Sequence, residues 1–176
     1  MHELEGHGGE HSGPLIIPVS ITISILAVLV AAVTLLGHRA HTEELLLQAK
    51  ASDQWAYYQA KNIRLRQLQN FADLLGVVTT EDKERAAEVR EKYAKEIERY
   101  GGDKEDISKE AKDLEHERDF YQRRAGHFDA AEGVLEFALI ICSLTLLTSK
   151  KFFWFSGIAI GIAGVLVALA DFLIRV

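Results

Sequence analysis

The chain of 176 residues contains a single cysteine, Cys142. It lies in an apolar run, so no disulfide can form within the chain and the redox compartment stays open. Reactive constellations are missing too. There is no Ser-His-Asp order, no Cys-His pair, no phosphate-binding loop and no His-Glu-x-x-His run. The sequence therefore points away from an enzyme, and no catalytic residue, cofactor or metal is assigned. A net charge of −6 and the lack of a basic patch exclude a nucleic-acid partner. The opening MHELEGHGGEHSG has no Lys or Arg. A secretory signal needs a basic start and a shorter apolar run with a small-residue cleavage site, so the first apolar segment reads as an uncleaved anchor.

What is present is segregated. The chain is 48% hydrophobic and 26% charged, an average that hides three apolar runs and one charged stretch. Residues 15–37 carry no charge, residues 152–174 carry only Asp171, and residues 130–148 carry Glu132 and Glu136 near their start. A hydrocarbon core roughly 30 Å thick needs about 20 apolar residues in a helix. Each run meets that length. The expected fold is all-α: an integral membrane protein with three transmembrane helices (15–37, 130–148 and 152–174). A flexible tail (1–14) precedes them, and a soluble, coiled-coil-like helical hairpin (38–129) separates the first span from the second.

Within the hairpin, residues 38–75 contain no Gly or Pro. Leu47, Ala51, Tyr58, Leu65, Leu68, Ala72 and Leu75 fall on one heptad seam. A second, polar seam runs beside it through Gln48, Ser52, Trp55, Gln59 and Asn62. Gly76 to Thr80 is expected to turn the chain, with a threonine as N-cap and Glu81 and Asp82 in the next first turn. The returning heptad passes through Tyr93, Ile97, Tyr100, Lys104, Ile107, Ala111, Leu114, Arg118, Tyr121, Ala125 and Phe128, then on through Glu132, Leu135, Leu139 and Cys142. Because this phase survives Gly101-Gly102, those glycines are expected to kink the helix near 101–102 and not to reverse it. The two legs come out unequal, about 57 Å and about 73 Å at about 1.5 Å per residue.

Several motifs resemble a known family. They are Lys50-Ala-Ser-Asp-Gln-Trp-Ala-Tyr-Tyr-Gln-Ala-Lys61, the preceding Gly37-His-Arg-Ala-His-Thr-Glu-Glu-Leu-Leu and the later Lys92-Tyr-Ala-Lys-Glu-Ile-Glu-Arg-Tyr100. With a C-terminal basic pair, Phe-Trp-Phe and a Gly-rich span, they are similar to the bacterial domain-of-unknown-function family numbered 4337. The resemblance runs over nearly the whole chain from Leu15. It implies a bacterial membrane protein of this architecture, and it implies no activity.

Orientation follows from basic residues near the span ends. The hairpin side has Arg39, Lys50, Lys112, Arg118, Arg123, Arg124 and Arg175; the other side has Lys150 and Lys151. This bias puts the hairpin and C-terminus in the cytoplasm and the N-terminus outside, in a bacterial inner membrane.

Three groups of residues are candidates for function. His38, Arg39, His41, His127, Glu132, Glu136, Asp171 and Arg175 gather at the hairpin-side membrane boundary as a candidate polar or ion belt. Interfacial ion pairing explains it most simply, including Asp171 with Arg175 one turn on. A proton or cation site, or a metal held by His38, His41 and a carboxylate, are the alternatives. Ser52, Asp53, Trp55, Tyr57, Tyr58 and Gln59 form a polar-aromatic patch, suited to packing within the hairpin or an oligomer, or else to a small ligand. Gly157, Gly161 and Gly164 share a face of the third span that permits close helix approach. In the tail, His2, His7 and His11 with Glu3, Glu5 and Glu10 read as a flexible acidic segment or a loose metal scavenger. The expected function is a non-enzymatic, self-associating membrane scaffold or assembly protein, with membrane lipid and further copies of itself as partners. The alternative is a small oligomeric ion channel or transporter-like protein using the acid belt.

Overall fold

The computed structural model describes residues 15–78 and 81–173, with side chains through 170. The N-terminal His/Glu tail and Arg175 lie outside the described residues, as does the side chain of Asp171. Three helices account for nearly all of it: α1 (Ile16–Val77), α2 (Lys83–Thr148) and α3 (Lys151–Leu173). No strand occurs among the described residues. Each helix contains a stretch long and apolar enough to cross a membrane.

The break between α1 and α2 lies slightly later than the sequence suggests. Gly76 is still helical, the Val78 N–H donates to Leu74 O at 3.0 Å, and no described glycine has a positive φ. Gly76 therefore uses none of its conformational freedom. The expected threonine cap is also corrected. Asp82 Oδ1 accepts the N–H of Arg85 at 3.0 Å and Asp82 O accepts that of Ala86 at 3.2 Å. Asp82 is thus the N-cap of α2, because an aspartate there reaches an orphan amide three residues on. At the other end of α2, Ser149 adopts φ 56°, and its N–H closes on Thr145 O at 2.8 Å. That left-handed residue lets only Ser149 and Lys150 connect α2 to α3.

The chain forms two compact units. Of the described residues, the first comprises 15–41 with 123–173, the second those of 42–122. In the first, Leu26, Val33 and Ala40 of α1 meet Ala125, Phe128, Ala131, Leu135, Ala138 and Cys142 of α2 in one buried cluster. The buried positions of α2 recur at three- and four-residue steps, but Ala131 and Ala138 are buried where the expected heptad has Glu132 and Leu139, which are half-buried; many are alanine, which brings helix axes close. α3 closes on this pair through its glycines. A methyl group at Gly161 would come within 2.8 Å of Leu26 Cδ2, and one at Gly164 within 2.8 Å of Leu135 Cγ. At Gly157 it would strike Cys142 Sγ and lie 3.0 Å from Ala138 O. Outward, the unit presents Ile17, Ile21, Ile25, Val28, Ile162 and Leu166, the surface expected of helices facing hydrocarbon.

The second unit is an antiparallel helix pair. Its cross-contacts step backward along α2 as they step forward along α1: Gln48 with Arg118, Lys61 with Asp103, Leu75 with Arg90. On α1, Leu47, Ala51 and Leu65 are buried, and Tyr58, Leu68, Ala72 and Leu75 are half-buried; on α2, Ile107 and Ala111 are buried. α2 is helical through Gly101 and Gly102, and the chain does not reverse there. Neither glycine has a neighbour within 4 Å of where a Cβ would stand, so packing does not demand them.

Candidate functional site

Two polar clusters can be built from these elements, one in each unit. The first lies where the apolar part of α1 ends. Thr34 Oγ1 donates to Glu132 Oε1 at 2.6 Å, and His41 Nε2 lies 3.1 Å from Asp129 Oδ2. Gly37 sits beside them, its position for a Cβ 3.4 Å from Phe128 Cβ and 3.6 Å from Asp129 Oδ1. The His41–Asp129 pair is half-exposed on both sides, so solvent screens it and its worth is at most about 1 kcal/mol. Glu132 half-buries a carboxylate, and the threonine hydroxyl meets the requirement that such a group find a donor.

This is only part of the belt the sequence suggests. His41 and Glu132 are each engaged, but with Asp129 and Thr34, which the sequence reading did not single out. His38 and Arg39 are exposed, and His127 is half-buried. Glu136 was expected to face protein near His38, Arg39 or His41. Instead it is exposed, and among the described residues it makes no hydrogen bond or ion pair. Helical phase does not set it apart, since it shares a face with Asp129, seven residues before it, and with Glu132, four before it. Those two acids meet His41 and Thr34 of α1, whereas Glu136 lies a turn further into the apolar stretch, and residues 25–33 of α1 offer no polar side chain.

The second cluster interrupts the seam of the helix pair. Lys61 Nζ donates to Asp103 Oδ2 at 2.8 Å and lies over the rings of Tyr100 and Tyr57, 4.7 and 5.5 Å from their centroids. Lys104 reaches Asn62 Oδ1 at 3.4 Å and lies over Tyr58 at 5.5 Å. Trp55 donates its indole N–H to Glu115 Oε1 at 2.9 Å and meets Tyr58 edge-on, centroids 5.5 Å apart. The hydrogen bond to Asp103 raises the pKa of Lys61, against the opposing effect of desolvation. The same bond lowers that of Asp103. Of the predicted polar-aromatic patch, Trp55 and Tyr58 are thus turned onto α2 of their own chain. Ser52, Asp53, Tyr57 and Gln59 are exposed, Tyr57 under Lys61. Asp103, Lys104, Tyr100 and Glu115 complete the cluster and were missed as partners. Their signal was the returning heptad, which places Tyr100 and Lys104 at seam positions.

Chemically, both clusters fasten helices. Each pairs acids with a hydroxyl, an imidazole, an ammonium or an indole, and no nucleophile stands beside a base in either. Among the described residues no three His, Cys, Asp or Glu side chains converge as a metal ion would need. The third predicted group, Gly157, Gly161 and Gly164, is buried against α1 and α2 of the same chain.

Against this geometry, the sequence profile described as Domain of unknown function (DUF4337) matches residues 15–174. The chain belongs to that family. The matched region takes in all three helices and every residue of both clusters. Comparison with curated proteins gave no match, and neither did comparison with solved structures.

Proposed function

We propose that this DUF4337 member is a non-enzymatic, self-associating scaffold of the bacterial inner membrane. The three apolar helix segments cross the bilayer, the helix pair of residues 42–122 stands on the cytoplasmic side and the N-terminus lies outside. The observation that carries this reading is how the polar side chains are used. Both clusters spend their hydrogen-bonding groups on joining α1 to α2, which is what a rigid, ligand-free support requires. The excess of Lys and Arg on the hairpin side of the spans supports the orientation. Its partners are membrane lipid and other copies of itself. The glycine face of α3 contributes to the fold of each copy and is not free for assembly.

The test is the protein mass of the full chain in lipid nanodiscs and in mild detergent. A defined multiple of the 19.6 kDa chain is expected. A single chain in both surroundings overturns the reading.

One observation favours a second reading, a small oligomeric channel: Glu136 is exposed in an apolar segment and has no hydrogen-bond or ion-pair partner among the described residues. Acids at that depth are costly unless covered, and several copies could arrange them around a shared path. Ion or proton flux in reconstituted vesicles decides between the two.

A further inference from the structure

In the first unit, α1 and α3 run parallel, and two grooves open on the outer side of their contact. Trp154 Nε1 donates to Thr22 Oγ1 at 3.0 Å, and further along Gly161 lies against Leu26. Beside that glycine, a groove of about 380 Å³ is walled by Ile25 and Leu29 of α1 and by Ile158, Ile162 and Leu166 of α3. A second, of about 460 Å³, lies on α1 alone, and Ile25 and Leu29 line it too. These two side chains are thus a ridge with a groove on either side. The grooves offer an occupant little but hydrocarbon. Thr22 Oγ1 already accepts from Trp154 and donates to Pro18 O at 2.9 Å, and Ser24 Oγ donates to Ser20 O at 2.9 Å. One end is charged. Lys151, Phe155, Ile158, Ile162 and Leu166 follow one another at steps of four and three along α3, so the wall of the first groove leads back to an exposed lysine. Lys150 stands beside it, also exposed; these two are the sole charged residues between Glu136 and Asp171, and residues 15–37 add none. Lys151 to Leu166 spans about 22 Å of helix, close to one leaflet with its headgroup layer, about 20–22 Å.

We propose that one anionic phospholipid occupies this site, its two acyl chains in the grooves on either side of Ile25 and Leu29 and its phosphate at Lys150 and Lys151. The proposal rests on the membrane reading of the three apolar helix segments and names a lipid that they hold. The occupant follows from shape and charge. A groove in a span meets hydrocarbon, and a chain that fills it recovers the contacts an unfilled groove forfeits. A ridge flanked by two grooves suits a molecule with two chains. A second copy inserted the same way round would bring Lys150 and Lys151 to the level of the same two lysines, and among the described residues at that end there is no acid to meet them. An anionic headgroup is opposite in charge, and basic residues at a bilayer surface attract such headgroups.

The test uses the full chain in mild detergent, titrated with dioleoyl phosphatidylglycerol or dioleoyl phosphatidylcholine and weighed intact by native mass spectrometry. One phosphatidylglycerol per chain should stay bound, about thirtyfold more tightly than phosphatidylcholine, from the attraction of two lysines for a net negative headgroup. Lys150→Gln combined with Lys151→Gln should bring the two lipids to the same affinity. Ile162 is 57% exposed, so Ile162→Trp fills the groove from outside the core and should weaken both lipids. Glycerol 3-phosphate, a headgroup without chains, should give no adduct; one as tight as phosphatidylglycerol overturns the lipid as ligand. Equal binding of the two lipids by the wild type, or a preference that survives the double lysine variant, overturns the site, and flotation of the chain with liposomes then leaves the membrane reading standing. Native Cys142 is buried, so an Ile162→Cys chain that oxidises to a disulfide-linked dimer in nanodiscs puts a second copy at the groove and also overturns the site. A chain that does not float with liposomes overturns both.

Discussion

Replacing the three glycines of α3 by alanine, one at a time, should destabilise the membrane unit in a definite order. At Gly157 the new methyl would meet Cys142 Sγ, Ala138 O at 3.0 Å and Cys142 N at 3.1 Å. Two of these are backbone atoms of α2 and cannot rotate aside, so α3 itself must move. At Gly164 the methyl meets Leu135 Cγ at 2.8 Å and Cδ2 at 3.0 Å, side-chain atoms of a fully buried leucine that has little room to give. At Gly161 it meets chiefly Leu26 Cδ2 at 2.8 Å, the end of a flexible side chain. The control is Gly133, on α2, where nothing lies within 4 Å. Gly→Ala in a helix gains about 1 kcal/mol from propensity, and overpacking costs about 1–3 kcal/mol. Subtracting the Gly133→Ala effect removes the shared gain. Gly157→Ala should then stand about 3 kcal/mol below the control, Gly164→Ala about 2 and Gly161→Ala about 1. Thermal unfolding in nanodiscs reads this as a lowered midpoint, at roughly 2–4 °C per kcal/mol for a chain of this size. Adding Cys142→Ala to Gly157→Ala should rescue only part of the loss, because Ala138 O and Cys142 N remain. A Gly157→Ala chain as stable as Gly133→Ala would refute the close approach of α3 to α2.

Two further outcomes follow from the polar clusters. Lys61→Met keeps the stem and removes the ammonium, and the stability lost should depend on pH in a fixed sense. The raised pKa of Lys61 makes its contribution full below the ordinary lysine value of 10.5 and lost as pH rises through the folded value. The lowered pKa of Asp103 makes its contribution full above 3.8 and lost as pH falls through the folded value. The difference between wild type and Lys61→Met should therefore be flat at intermediate pH and shrink at both extremes; a difference that persists unchanged into strong acid contradicts the pairing. For Glu136→Gln, assembly should be unchanged and vesicles of wild type and variant equally tight to protons. A pH-dependent wild-type flux that the variant loses would make the channel reading the leading one.

Much of the helical plan was legible because it rests on periodicity. Apolar runs of sufficient length located the three candidate spans, and steps of three and four residues from Tyr93 to Cys142 traced the buried face of α2 through two glycines that would ordinarily signal a turn. The errors lie where one local signal competes with another. Gly76 looks like a helix stop, yet α1 passes through it to Val77, and the aspartate at 82, not a threonine, caps the next helix. These shifts bear on the unequal legs of the sequence reading. That reading ended the returning leg at residue 129 and began the second span at 130. In the structure Phe128 and Asp129 stand beside Gly37, so α2 has already returned to the level where the apolar run of α1 ends.

The polar clusters were harder to read, for a reason of geometry. A sequence shows which residues share a face of one helix, but a side-chain pair across two helices depends on their register, which a turn of unknown length leaves open. A slip of one residue changes which acid meets His41. Thus Asp129 and Thr34 were invisible as partners while His41 and Glu132 were conspicuous, and Glu136 drew attention by composition although it is exposed. The same limit hid the outer face of α1. Leu45, Ala49, Ala56, Ala60, Ile63 and Leu74 are apolar residues in a helix already supplied with one apolar seam, and on sequence alone they blur into it. Only once α2 is seen covering Leu47, Ala51 and Leu65 does the second face stand apart as uncovered.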